Sequence, residues 1–179
     1  ALEHALERQH VDAGGTADQD VLGVHSDYET HRICILFVRG GKLLGSKSFT
    51  PVKTKADREE ILSSALRQYY DESGLPEEIL LPFNLSDEAV LLEWLAERQQ
   101  RSVRITVPQR GAKKALVVMA CANARELQAS DRKKDEQKTA VLQFLQEKFS
   151  LTGLPRRIEC FDISNLGGKN AVGSLVVFQ

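Results

Sequence analysis

The sequence predicts an α/β protein whose mixed sheet opens with a three-strand antiparallel meander and continues as αβαβα. A helical linker and the start of a second unit follow. Three observations carry this reading. Three strand-like segments lie in close succession between residues 21 and 49. After them, stretches with helical spacing of apolar residues alternate with short apolar runs, the pattern of helices packed on a sheet with parallel strands. Near the end of the chain a strand, polar turn and strand appear again.

The elements follow in order. Residues 1–20 read as the end of a helix, with Leu2 and Leu6 four apart, and a linker holding Gly14 and Gly15. VLGVH (21–25), RICILFV (32–38) and KLLGSKSF (42–49) form the meander. The Gly40-Gly41 pair closes its second hairpin, because glycine accepts the positive φ such turns need. Thr54 and Asp57 have capping-box spacing ahead of a helix carrying Ile61, Leu62, Ala65, Leu66 and Tyr69, which Gly74 and Pro76 stop. EEILLPF (77–83) reads as a strand buried on both faces. Ser86 is the expected cap of a second helix through Val90, Leu91, Trp94 and Leu95. RSVRITV (101–107) is the next strand, and PQRGAKK leads into a third helix ending near Leu127. A separate helix is expected over 130–150, then strands at 157–163 and 172–178. The expected division is 1–20 helix end and linker, 21–128 main domain, 129–156 connecting helix and 157–179 terminal hairpin.

Composition limits the functions open to the chain. Of 179 residues, 42% are hydrophobic and 27% charged, which describes a globular protein. No apolar run reaches the ~18–20 residues of a membrane span, and ALEHALERQH is too charged for a signal peptide, so a cytoplasmic protein is expected. Cys34, Cys121 and Cys160 are too widely spaced for a disulfide framework or a zinc site and are expected to be reduced core residues. His4, His10, His25 and His31 form no ligand pair.

The 24 basic and 25 acidic residues are segregated. Six bases and no acid lie between His31 and Ala56, and six more between Arg101 and Arg125. Between Asp57 and Gln99 stand eleven acids and three bases. Basic faces suit phosphate. Arg110, Lys113 and Lys114 at a helix start are therefore candidate DNA contacts, with a solvated helix start as the alternative.

A gapless overlay of Val21–Asp27 on Ile158–Ser164 suggests a partial repeat in which Asp162 matches His25 and the second turn is about three residues longer. Asp162 stands between Phe161 and Ile163 in an apolar strand, where a charge is costly unless a cation or hydrogen bonds compensate it. A solvent-facing aspartate at a strand end is the alternative.

RIECFDISNLGG strongly resembles the start of the nuclease domain of the bacterial excinuclease subunit UvrC family. The likeness extends to VLGV (21–24), GGKLLGSKSF (40–49), EEILLPFNLSD (77–87) and PQRGAKKALVVMACANA (108–124), while ALEHALERQHV resembles the segment after that family's UvrB-binding helical hairpin. The resemblance implies a ribonuclease-H-like fold for both units, with the first hairpin of the catalytic domain at 157–179. It implies that Asp162 is one metal-binding member of a catalytic Asp-Asp-His set whose other members lie beyond Gln179, so this chain alone is not expected to cut. It further implies Mg2+ or Mn2+, incision of damaged double-stranded DNA in nucleotide excision repair, and UvrB as partner, with no small-molecule substrate. Asn165 stands where many relatives have histidine, and no histidine role is carried onto it. The upstream unit is expected to be catalytically dead, with His25 on its first strand and Pro82-Phe83-Asn84 after its fourth. Asp27 and Asp87 are read as structural. The rival reading is a scaffolding module that positions neighbouring domains without touching DNA.

Overall fold

The computed structural model describes residues 17–49, 52–99, 102–166 and 169–178. It divides into two units after Ala129. The expected helix end and linker lie outside the described residues as far as residue 16. Among the described residues, no helix is long and apolar enough to cross a membrane.

The first unit contains strands β1 (Gln19–Asp27), β2 (Thr30–Arg39), β3 (Lys42–Ser48), β4 (Val52–Lys53), β5 (Glu78–Leu80) and β6 (Arg104–Thr106). Its helices are α1 (Arg58–Glu72), α2 (Glu88–Gln99) and the first part of α3 (Gly111–Lys148). The sheet order is β3-β2-β1-β5-β6, with β4 also on β2. The meander pairs are antiparallel, and β5 and β6 run parallel to β1. This is the mixed sheet the sequence predicts. Gly40 and Gly41 have φ of 55° and 77°, the doubly positive turn a two-residue hairpin needs.

Strand alternation sorts the core onto two faces. Leu22, Ile33, Ile35, Ile79 and Leu81 pack with Leu62, Leu66, Leu91 and Leu95 of α1 and α2. Val21, Cys34, Leu36, Val38 and Leu80 pack with Leu116, Val117, Ala120 and Ala124 of α3. Each fully buried leucine contributes about 1.5–3 kcal/mol of transfer free energy.

Several local expectations are corrected. Asp57, not Thr54, caps α1: its side chain accepts from the Glu59 N–H, while Thr54 Oγ1 accepts from the Ala56 N–H at 3.1 Å. At α2 the Asp87 carbonyl accepts the Leu91 N–H at 2.9 Å, which moves the cap position from Ser86 to Asp87. The two helices expected over 108–127 and 130–150 are one helix of 38 residues. Ser130 and Asp131 could begin a new helix, but neither glycine nor proline interrupts 112–148, and the Arg132–Glu136 pair supports continuity at i,i+4. Cys160 is exposed rather than in a core, whereas Cys34 is buried and its thiol is pushed up to about 11, mainly by burial.

Asp20 is completely buried at the start of β1. Tyr70 Oη donates to its Oδ2 at 2.8 Å, and Arg39 Nη2 lies 2.8 Å from its Oδ1. Burial, reinforced by the Asp20 charge, holds the Tyr70 phenol well above its ordinary value. Removing one member of such a group leaves the others unpaired in the interior. Asp20→Ala should lower the unfolding free energy by about 2–4 kcal/mol and Tyr70→Phe by about 1–2 kcal/mol. Urea denaturation checks both, and a neutral Asp20→Ala would contradict the buried pairing.

Candidate functional site

The second unit pairs β7 (Ile158–Leu166) with β8 (Lys169–Phe178) as an antiparallel ribbon. Alternation places Cys160, Asp162 and Ser164 on one face, across from Val176, Ser174 and Val172. Phe161 and Ile163 occupy the other face, across from Leu175 and Gly173. Asp162 is exposed, and Ser164 Oγ donates to its Oδ2 at 3.3 Å. Glu159 points to the opposite face and pairs with Arg157 at 2.6 Å.

A carboxylate beside a hydroxyl is the oxygen donor chemistry that hard divalent cations take. Asp162 supplies only one such carboxylate, and among the described residues no three His, Cys, Asp or Glu side chains gather to hold an ion. Asp162 fits one position of a ligand set and does not complete one.

The two hairpins can be compared strand by strand. β1 and β7 each have nine residues, and β2 and β8 each have ten. Two residues separate the strands in both cases, 28 and 29 in the first hairpin and 167 and 168 in the second. β7 reaches Leu166 and β8 begins at Lys169, so both strands extend further into the segment expected as turn, with a register shift between Ser164 and Leu166. Asp162 stands four residues before the end of β7, and Gly23 four residues before the end of β1. Gly23 is the fifth residue of β1 and Asp162 the fifth of β7, whereas the sequence overlay sets His25 against Asp162. Gln19 and Asp20, which read as linker in the sequence, are buried in β1.

Gly23 explains the absence of a carboxylate there. A Cβ on residue 23 would lie 2.0 Å from the Ala120 carbonyl carbon and 2.3 Å from the Cys121 nitrogen. The α3 backbone occupies the volume a side chain would need. The end of β5 supplies no acid either: Pro82 and Phe83 are half-buried, Asn84 is exposed, and Arg58 lies over the Phe83 ring. Asp87 bridges the helices, accepting from Ser63 Oγ at 2.6 Å and Arg67 Nη2 at 3.1 Å, which hold its carboxyl below the usual range.

The three expected DNA contacts differ in environment. Arg110 is exposed just before α3, and Lys114 is half-exposed in its first turn. Lys113 turns inward, with Nζ 2.8 and 2.7 Å from the two carboxylate oxygens of Glu78. Thr106 Oγ1 donates to Glu78 at 2.8 Å and Gln19 Nε2 at 2.6 Å. Burial would raise the Glu78 carboxyl, but these hydrogen bonds and the ammonium outweigh it and hold it below its ordinary value. Glu78 was missed in the sequence although an acid in EEILLPF is a signal. Gly23 was missed although a glycine inside a strand marks close approach.

With a folded value below the unfolded one, the Glu78 contribution to stability is present above about pH 4.5 and disappears as pH falls through its folded value. Lys113→Met should therefore destabilise at pH 7 and lose its effect as pH falls through the folded value of Glu78, read by urea titrations over a descending pH series. Gly23→Ala should destabilise by about 2 kcal/mol or more, because the helix backbone must move. A thermal unfolding midpoint unchanged by Gly23→Ala would refute the close approach.

Comparison with known proteins accords with this geometry. Residues 18–133 match the family model described as the UvrC Ribonuclease H-like domain, and residues 146–179 match the UvrC RNAse H endonuclease domain. The UvrABC system protein C of Syntrophus aciditrophicus (strain SB) is 38% identical over 180 residues, covering 100% of this chain and 29% of that protein. Those of Geobacter metallireducens and Geotalea daltonii are 41% and 44% identical, covering 100% and 99% of this chain and 29% and 28% of the relatives. The chain thus spans less than a third of the length of these relatives.

Proposed function

The chain belongs to the UvrC family, and on that premise we propose that it is part of the UvrC subunit of a UvrABC excinuclease, acting in the cytoplasm on damaged double-stranded DNA. The observation that carries the reading is the RIECFDIS strand, which places an exposed aspartate inside the segment matched to an endonuclease domain. UvrB is the proposed protein partner.

In this reading Asp162 provides one carboxylate to a Mg2+ or Mn2+ site completed by residues outside this chain. When bound, such an ion supplies Lewis-acid stabilisation of a phosphodiester and lowers the pKa of a coordinated water. The chain's own part is to hold an anionic oxygen on one face of β7, with Ser164 donating to it. In this reading the first unit supplies no chemistry: its first strand carries His25 and a Gly23 crowded by the α3 backbone, and no acid follows β5 at residues 82–84. Its role is to bind: Arg110 and Lys114 present cations for phosphate, and Lys113 sits in the same turn with its charge shared with Glu78.

A second reading, a scaffold that positions neighbours without binding DNA, is favoured by the fate of the basic stretches. Arg39 and Lys113 hold buried carboxylates, and Arg32 donates to the Phe49 carbonyl at 2.8 Å.

In the full-length protein, Asp162→Asn should reduce incision of a damaged duplex by at least ~10^3-fold, the equivalent of several kcal/mol of lost transition-state stabilisation. Duplex binding and the thermal midpoint should be unchanged, because the side chain is exposed. The 179-residue chain alone should not incise with either metal. Retained incision by Asp162→Asn would sink the assignment.

A further inference from the structure

We propose that the outward flank of α3 from Lys114 to Arg125, with Arg110 just before the helix, is a contact ridge for the phosphate backbone of duplex DNA. The inference rests on the reading that the protein acts on DNA, and it assigns that contact to a helix face rather than to the helix start alone.

From Arg110 to Arg125 the sequence contains four bases and no acid. One base, Lys113, is turned inward onto Glu78. The other three, Arg110, Lys114 and Arg125, have no carboxylate within ion-pair distance among the described residues, and Arg110 and Arg125 are exposed. At ~100° per residue, Lys114, Val118, Cys121 and Arg125 fall within a sector of about 60° on α3. The buried row of Leu116, Val117, Ala120 and Ala124 lies on the side facing the sheet. Lys114 and Arg125 are eleven residues apart, about three turns or ~16 Å along the axis, and Arg110 stands outside the helix, just before Gly111 with its φ of 76°.

The residues around these cations favour a long, smooth polyanion. Ala115, Val118 and Ala122 are exposed and short, so the longer basic side chains stand above the helix surface. The helix cannot roll to turn this flank inward, because its backbone is seated on Gly23 and its first turn is tied to Glu78. Duplex DNA carries one phosphate per ~3.4 Å of each strand, so the ridge meets several phosphates at once. The first-turn amides and helix dipole add attraction in the same sense.

The test is fluorescence anisotropy of a labelled 30-base-pair duplex with the 179-residue chain, over a salt series. The triple variant Arg110→Ala, Lys114→Ala, Arg125→Ala is compared with the charge-matched Lys47→Ala, Lys55→Ala, Arg58→Ala, which alters the α1 side. The ridge variant should bind at least ~10-fold more weakly at low salt, and its log K against log salt slope should be shallower by about 2–3, at ~0.9 for each phosphate no longer neutralised. The α1-side variant should bind within about twofold of the parent. Equal weakening in both variants, absence of salt-dependent binding, or polyglutamate competing as well as DNA of equal charge would overturn the proposal, the last pointing to an acidic protein partner. If the triple variant loses cooperative unfolding, Lys114→Gln with Arg125→Gln makes the same comparison. Asp162→Asn should retain ridge binding, so loss of incision without loss of binding separates the nuclease reading from this one.

Discussion

Helix α3 can lie on the sheet of the first unit only where β1 has no side chain, and the arrangement of that face depends on this contact. With the Ala120 carbonyl carbon 2.0 Å from the place a Cβ would occupy, β1 and α3 meet backbone to backbone at Gly23. Ala120 and Ala124 on the helix keep the approach close, and Val21, Leu36, Val38 and Leu80 fill the space on either side. A second tie, from Lys113 to Glu78, fixes the start of the helix. Two fixed points determine which flank faces outward. They also decide the chemistry, because a carboxylate at residue 23 and a helix seated on residue 23 exclude each other.

The two hairpins differ in what stands at the fifth residue of their first strand. β7 carries Asp162 at the position where β1 carries Gly23, with strands of matching length around both. A helix seated on β7 as α3 sits on β1 would bury the Asp162 carboxylate without a counter-charge, at a cost of several kcal/mol. The face of β7 that bears Asp162 has to stay open to water, a cation or a substrate if the aspartate is to remain ionised.

Much of this was legible in the residues, and the failures have a common cause. The meander, the Gly40-Gly41 turn and the alternation of helices with short strands followed from local pattern, because local sterics and burial set them. The start of β1 did not. Gln19 and Asp20 look like linker residues until Glu78 and Tyr70, 59 and 50 residues away, are seen to satisfy them. Thr54 and Ser86 failed in the same way: each has the chemistry of a cap, and neighbouring geometry decided that another residue, Asp57 and Asp87 respectively, would serve. Asp162 was legible as an anomaly in an apolar strand, and the role proposed for it came from resemblance.

The segregated charge pattern has two origins that composition alone cannot separate. A carboxylate inside the fold needs a cation brought to it, and the acid-free stretches supply these: Arg39 reaches Asp20 from β2, and Lys113 reaches Glu78 from α3. These cations neutralise the interior and contribute little field outside the molecule. What remains exposed is a smaller set, of which Lys114 and Arg125 share one flank of a rigid helix. A basic run is therefore a poor measure of affinity for polyanions until its internally paired members are removed from the count. After that subtraction, the basic charge left on α3 lies on the flank that its seating on Gly23 turns outward.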